Sequence, residues 1–539
     1  MEYLVPVDAN NDTPLSDVDE NDRLVGNNRK ATYKVASAQA GFGRWHYLLL
    51  LQCGWANASD AIEIMCISFT ISSVHASLKL SNSSLTWLTI VLFLGMMIGG
   101  YLWGTLADYW GRRRVVIFSL ALNGIFGTFS AIAPNYGVLL TLRFISGIGA
   151  GGSLPVCFSY FSEFQPRDKR GMMISALATS WMVGNVIAAG LAWGLLPYSA
   201  SISAYSPNGD QWRLFIIICA IPSLTSSVFF FFMPESPLYL YRRGDFQKSL
   251  AVLKIVNKFN HPGTPLQFDT IVPDDDCPTT SRIKGSRSGS TSFWFVTHTK
   301  FYRLSSCPRR CLYWLVSGLY AMKVQLAIFF GSDRNTRKKS VLMMSIYFAT
   351  AFSGYGITMW LPTLMARTEQ NAGSPCSGHI VLNKSSTSVN DSEMYIDVFI
   401  GATAQLPANI ASILVMDRVG GKVILVFSMF MSGVSVLLFW LVHNKLQVII
   451  MSAIFNGVST LAWNALDVLT PEMYETAVRA SSTGILTALS RIASILGNLT
   501  FGLFMDYNCS IPILICAAVF LLGGVLSIFL PQTRNIELD

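Results

Sequence analysis

Charge is what this sequence has little of: only 13% of its 539 residues are Asp, Glu, Lys or Arg, whereas 52% are hydrophobic. A water-soluble globule of that size would lack the polar surface to cover itself, so the ordinary soluble enzyme or regulator is excluded. There is no Walker A sequence, no cluster with metal-ligand spacing and no nucleophile motif. ATP-driven pumping and enzymatic catalysis are therefore unsupported, and neither a cofactor nor a metal is expected. The polar opening stretch lacks a basic segment followed by an apolar core, so no cleavable signal peptide is expected and the first long apolar segment must direct insertion. The ten cysteines show no paired short spacing of a zinc or redox motif and mostly read as small apolar residues.

Long apolar runs are what is present. Twelve stretches of 19 or more residues suffice to cross about 30 Å of hydrocarbon: 47–72, 86–106, 115–133, 137–159, 172–196 and 213–233, then 341–364, 395–416, 423–442, 446–468, 482–505 and 511–530. Only helices are plausible at these lengths, because backbone groups in lipid must find their hydrogen bonds within the segment. The expected class is an all-α membrane protein with twelve transmembrane helices and the lipid bilayer as its solvent.

Basic residues set the orientation. Arg112, Arg113 and Arg114 follow the second span, Arg167, Lys169 and Arg170 the fourth, and Arg242, Arg243, Lys254 and Lys258 the sixth; the alternate loops hold stray Lys79, Arg367, Lys384 and Lys445. The positive-inside rule places both termini and the 6–7 loop in the cytosol. Topology thus explains the net charge of +8 without a nucleic-acid partner. Glycosylation triplets at Asn82, Asn383, Asn390 and Asn508 all fall in loops assigned to the other side, while those at Asn57 and Asn498 lie within helices and should be silent. Cys376 and Cys509 fall in two of those outer loops, where a disulfide is one open reading.

The chain also repeats. In GTLADYWGRRRVV and ILVMDRVGGKVIL, Asp108 and Gly111 correspond to Asp417 and Gly420; Glu163 and Arg170 correspond to Glu472 and Arg479, and both pairs of motifs are offset by 309 positions. Two motifs at one offset predict two pseudo-symmetric six-helix bundles in parallel orientation. The predicted organisation is a disordered cytosolic tail (1–46), an N-terminal bundle (47–233), a cytosolic loop (234–340), a C-terminal bundle (341–530) and a short cytosolic tail (531–539). Residues 311–330 are apolar enough for a thirteenth span, but a crossing there would put Asp417 opposite Asp108. They are expected to lie along the cytosolic membrane face as an interfacial helix.

These features resemble the major facilitator superfamily, in its sugar-porter-like branch, through GTLADYWGRRR, the Glu163/Arg170 pair and PESP at Pro234 to Pro237. GGSLPVCFSYFSEF, FFMPESP and AWNALDVLTPEMY are similar, more closely, to the synaptic vesicle glycoprotein 2 family. The resemblance covers all twelve spans. That family typically carries a large luminal insert between spans 7 and 8, whereas the loop here, Met365 to Glu393, is short; Pro273 to Lys339 also fits loosely.

The resemblance implies gating roles for Asp108, Gly111, Arg112, Glu163, Arg170, Asp417, Gly420, Glu472 and Arg479, as charge-paired latches between the halves; the alternative is that they only anchor topology. Asp60 and Glu63, three residues apart, share one face of the first span. A bare carboxylate among lipid chains costs on the order of 3 kcal/mol, so that face should meet the central cavity. Proton or ion coupling is one reading; the other is that both are held in static hydrogen bonds or lie near the outer headgroups. Asp467 and Arg491 are the obvious partners of one another. The resemblance places them, with Trp181 and Trp463, in a central substrate cavity. Two functions stand: a secondary transporter of a small organic solute, sugar-like or an organic ion, coupled to protons; or a transporter-fold regulator or receptor of vesicle membranes. The expected location is the plasma membrane or a secretory, synaptic-type vesicle, with cytosolic partners on the N-terminal tail left open.

Overall fold

The computed structural model describes residues 30–78, 80, 82–166, 169–197, 211–266, 268–272, 329–330, 334–370, 391–441, 444–474, 476–505 and 507–531. Within them the chain forms two compact units.

The larger unit holds the long helices. The first six are α2 (Arg44–Leu78), α3 (Asn82–Trp110), α4 (Arg112–Ser130), α5 (Tyr136–Phe164), α6 (Arg170–Leu195) and α7 (Gln211–Phe230). The second set is α10 (Arg334–Gln370), α11 (Asp391–Thr403) with α12 (Gln405–Val419), α13 (Gly421–Leu441), α14 (Lys445–Met473), α15 (Thr476–Phe504) and α16 (Ser510–Ile528). Each of the twelve expected spans is a helix, with α11 and α12 together making the eighth. Pro407 explains that interruption: it has no N–H to give the carbonyl of Thr403, and its ring crowds that carbonyl. Ten of the twelve are long and apolar enough to cross a membrane. The other two fall short for visible reasons, since α2 carries Asp60 and Glu63 and α4 begins with three arginines. Large apolar side chains on the outer faces, Phe118, Phe129, Leu414 and Leu503 among them, are exposed, as lipid-facing residues should be.

The repeat is visible in the packing. α4 packs on α7, the third helix on the sixth, and α13 packs on α16, the ninth on the twelfth. It is also visible in the backbone. Gly111, between α3 and α4, has φ 103° and Gly420, between α12 and α13, has φ 90°. Both lie where an L side chain is strained, so the reversal after each Asp-x-x demands glycine. The bundles touch through α3 against α15, where Gly502 faces Thr86.

The smaller unit comprises 1–49, 162–170 and 234–306, of which the described part begins at Lys30. It corrects one expectation: residues 30–46 are not a disordered tail. Lys30–Thr32 (β1) pairs in parallel with Thr270–Val272 (β2), and α1 (Tyr33–Ala40) follows directly. The PESP motif is a helix start: Ser236 caps α8 (Pro237–Arg242), accepting from the Tyr239 N–H at 3.1 Å, and Pro237 needs no donor at the first helical position. α9 (Phe246–Asn260) ends at Asn260, whose side chain donates to the carbonyls of Ala40 and Gly41 and accepts from the Trp45 N–H. The interfacial helix expected at 311–330 lies outside the described residues apart from Phe329 and Phe330, which are helical.

Candidate functional site

Asp60 and Glu63 share a face of α2, and that face is covered by α5. Glu63 is 2% exposed. Its Oε1 accepts from Arg143 Nη1 at 2.5 Å and lies 2.7 Å from Ser146 Oγ. The network continues within the first bundle, with Ser146 Oγ 2.9 Å from Asn123 Oδ1 and Asn123 Nδ2 donating to Ser223 Oγ at 3.1 Å. Arg143 also reaches Cys66 Sγ at 3.8 Å. Asp60 is fully buried; Ser153 Oγ donates to its Oδ2 at 2.6 Å, and Oδ1 has no hydrogen-bond partner among the described residues. The two acids thus avoid lipid by packing on α5 rather than by jointly lining an open cavity. They differ chemically: Glu63 is neutralised by a guanidinium of its own bundle, while Asp60 keeps a free oxygen. Arg491 of the other bundle is within electrostatic reach of Asp60 but does not pair with it.

Arg491 does not pair with Asp467 either, which corrects that expectation. Asp467, on α14, is accessible to solvent but lies within electrostatic reach of the buried Tyr347. Arg491, on α15, is buried, with Nη1 unpartnered and its guanidinium 5.8 Å from the Tyr355 ring centroid. Tyr355 begins an aromatic wall: Phe93 lies 5.3 Å away by centroids, Trp463 lies 5.9 Å away, and Tyr347 is 6.4 Å beyond Trp463. Trp463 is therefore beside Arg491's ring partner. Trp181, half-buried on α6, makes no ring contact among the described residues.

Side-chain amides join the bundles nearby. Asn185 Nδ2 on α6 donates to Gln405 Oε1 at 2.9 Å, and Gln405 Nε2 donates to Asn456 Oδ1 at 3.0 Å. A second ladder runs from Asn464 to Asn409 and from Asn409 to Thr179 Oγ1. On α2, Ser68 Oγ donates to the Met359 carbonyl of α10 at 2.7 Å. A small cleft lined by Ser68, Asn185, Gln405 and Asn456 lies between these bonds.

The expected gating residues are local where they are described. Asp108 pairs with Arg112 at 2.6 Å, one turn along the same reversal. Arg113 donates to the carbonyls of Phe230 and Phe231 at the end of α7. Glu163 and Arg170 both act on the Tyr33 phenol, which burial and the Glu163 carboxylate hold far above its usual range; Arg170 also donates to the Gln165 carbonyl at 3.2 Å. Glu472 is half-buried, while the side chains of Asp417 and Arg479 lie outside the described residues.

This is two six-helix bundles around a buried charge and an aromatic wall, and the sequence matches the model of a family described as sugar (and other) transporter over residues 38–272 and 383–539. The chain belongs to the sugar transporter family. Among solved structures it is similar to the xylose transporter XylE from E. coli in a partially occluded inward-open conformation, with a TM-score of 0.63 and 16% identity over 91% of this chain and 100% of that one. The fold is accordingly that of the major facilitator superfamily. In sequence it is similar to synaptic vesicle glycoprotein 2C of Mus musculus, at 28% identity over 93% of this chain and 81% of the relative. It is also similar to synaptic vesicle glycoprotein 2B of Homo sapiens, at 29% identity over 93% and 86%.

Of the glycosylation triplets, Asn508 is exposed just before α16 and Asn82 is the first residue of α3, whereas Asn383 and Asn390 lie outside the described residues. Asn57 and Asn498 are buried. Cys509 is disulfide-bonded, and Cys376, its candidate partner, lies outside the described residues.

Sequence reasoning missed Arg143. A lone arginine in the run TLRFISG was a visible signal, because a cation at that depth requires a buried acid and Glu63 was the available one. It also missed the amides Asn185, Gln405, Asn409, Asn456 and Asn464, which are neutral and scattered among apolar residues.

Proposed function

We propose that this protein is a secondary active transporter that moves a small organic solute by alternating access, with the two bundles rocking about the buried site and a proton as coupling ion. One observation carries the proton assignment. Asp60 is buried, held at one oxygen by Ser153, open at the other, and within reach of a cation on the opposite bundle. A carboxyl so placed can exchange a proton when the bundles separate, and its charge is felt by whatever binds at Arg491. Glu63, already neutralised by Arg143, positions α2 against α5 and supports that exchange. Trp463 and Arg491 line the solute site, with Asp467 at its approach and Trp181 on the facing bundle. The reversals at Asp108–Arg112 and Asp417–Gly420, with Glu163, Arg170, Glu472 and Arg479, hold the helix ends that move.

In this reading both termini face the cytosol, glycans sit on Asn82, Asn383, Asn390 and Asn508 on the other side, and the protein resides in the plasma membrane or a secretory vesicle. A second reading is a vesicle-membrane regulator with a transporter fold, favoured by similarity to synaptic vesicle glycoproteins over most of their length. Reconstitution separates the two. Proteoliposomes given a proton gradient and a panel of labelled sugars and organic ions should accumulate at least one, and Asp60→Asn should abolish that accumulation. If no member of the panel enters, the regulator reading stands.

A further inference from the structure

Among the described residues two arginines are buried in the helical unit, and the fold treats them oppositely. Arg143, 1% exposed, is matched by Glu63 at 2.5 Å. Arg491 is 8% exposed, has Nη1 sealed from solvent without a hydrogen-bond acceptor, and forms no ion pair with a described residue. A guanidinium cannot shed its proton to escape burial, and its five N–H donors accept nothing in return. Its counter-charge must come from outside the chain or from Asp60, the acid within reach. Asp60 is held by Ser153 on the first bundle and does not close on Arg491.

The surroundings narrow the chemistry. The planar fork of an arginine matches a planar oxyanion with two oxygens, and a carboxylate is the common organic example. The face of Tyr355 lies under the guanidinium, and Phe93 and Trp463 extend the apolar wall on either side. A ring or hydrocarbon body attached to the anion would rest on that wall.

We propose that the solute taken by the site is an organic monoanion, its carboxylate on Arg491 and its body against Tyr355 and Trp463. This deepens the transport reading above and rests on it. The charges close in both states. With the site empty, ionised Asp60 balances Arg491; with solute bound, the anion balances Arg491 and Asp60 carries a proton. Glu63 stays neutralised by Arg143 throughout. The cargo is then one proton and one anion, with no net charge moved.

The test uses the full chain in phosphatidylcholine nanodiscs with labelled benzoate as the probe, and benzamide and benzylamine as competitors of the same ring. Benzoate should bind saturably. Benzamide and benzylamine should fail to displace it at tenfold higher concentration. Arg491→Gln should weaken benzoate binding at least tenfold without lowering the thermal midpoint, and Arg491→Lys should fall between. Displacement by benzamide as good as by unlabelled benzoate, displacement by chloride at matched concentration, Arg491→Gln binding within threefold of the parent, or no saturable benzoate binding would each overturn the assignment. The competition series on the unaltered protein decides the matter even if the variants fail to fold. Arg491-dependent benzoate binding without uptake into proteoliposomes would leave the anion assignment standing and defeat transport. Uptake of a neutral sugar that benzoate does not inhibit would leave transport standing and defeat the anion.

Discussion

Glu63 on α2 and Arg143 on α5 form an ion pair at 2.5 Å with both side chains at 2% exposure or less. It sits one helical turn from Asp60, so the acid proposed to move protons stands next to an acid that is held fixed. Removing one partner leaves the other charged and buried, which costs about 3–5 kcal/mol. Arg143→Gln should therefore lower the thermal midpoint of the protein in nanodiscs substantially. The double change Glu63→Gln with Arg143→Gln should recover most of the loss. Additive destabilisation in the double variant would show that the pair is not what holds the two helices.

His46, at the start of α2, gives a pH prediction. Gly43 N–H donates to its Nδ1 at 3.3 Å, and its Nε2 donates to the Phe164 carbonyl at 3.1 Å, so the neutral ring is satisfied on both sides. Burial lowers its pKa and the nearby Lys169 ammonium reinforces that, against the pull of the Phe164 carbonyl. A histidine held neutral contributes stability that is present above the ordinary value of about 6.5 and is lost as pH falls from there through the lowered folded value. Hydrogen exchange across residues 42–47, corrected for its intrinsic rate, should rise between pH 7 and pH 5 in the parent and stay flat in His46→Gln. Equal profiles in both proteins would contradict this.

Gly111 and Gly420 adopt φ of 103° and 90° at the same place in the two bundles. Alanine at either position should cost about 1–3 kcal/mol, the usual penalty for a side chain in that region. The two losses should be similar if the reversals are structural equivalents. Unfolding measured on Gly111→Ala and Gly420→Ala checks this, and a neutral effect at either site would argue against it.

Gln405 links α6 to α14 by one amide bond on each side. Gln405→Leu leaves two buried amides short of a partner, at about 1–3 kcal/mol. That cost falls on the state in which the bundles are bonded here. Spin labels at the exposed positions Ile132 and Leu446 should report a population with longer separation in the variant. An unchanged distance distribution would mean that the ladder does not hold this conformation.

The fold was legible where hydrophobic length and repeats speak. All twelve spans, the offset of 309 positions and the two glycine reversals were visible because lipid leaves the backbone few options. The site was legible only in part. Asp60, Glu63 and Arg491 stood out as charges in apolar runs, yet their pairing did not follow from type alone. Asp467 was assigned to Arg491 because both are charges at membrane depth, whereas in the structure Asp467 lies within electrostatic reach of Tyr347 and forms no ion pair with Arg491. The order in residues 30–46 escaped notice because a three-residue strand and an eight-residue helix carry little periodicity, and they are fixed by contacts with a segment more than 200 residues away.

The most direct measurement follows protons rather than solute. Liposomes holding the protein and a trapped pH indicator, with no gradient imposed, should acidify inside when an accepted solute is added outside, and Asp60→Asn should abolish that signal while still binding the solute. Solute entry without acidification in the parent, or undiminished acidification in Asp60→Asn, would contradict proton coupling through Asp60.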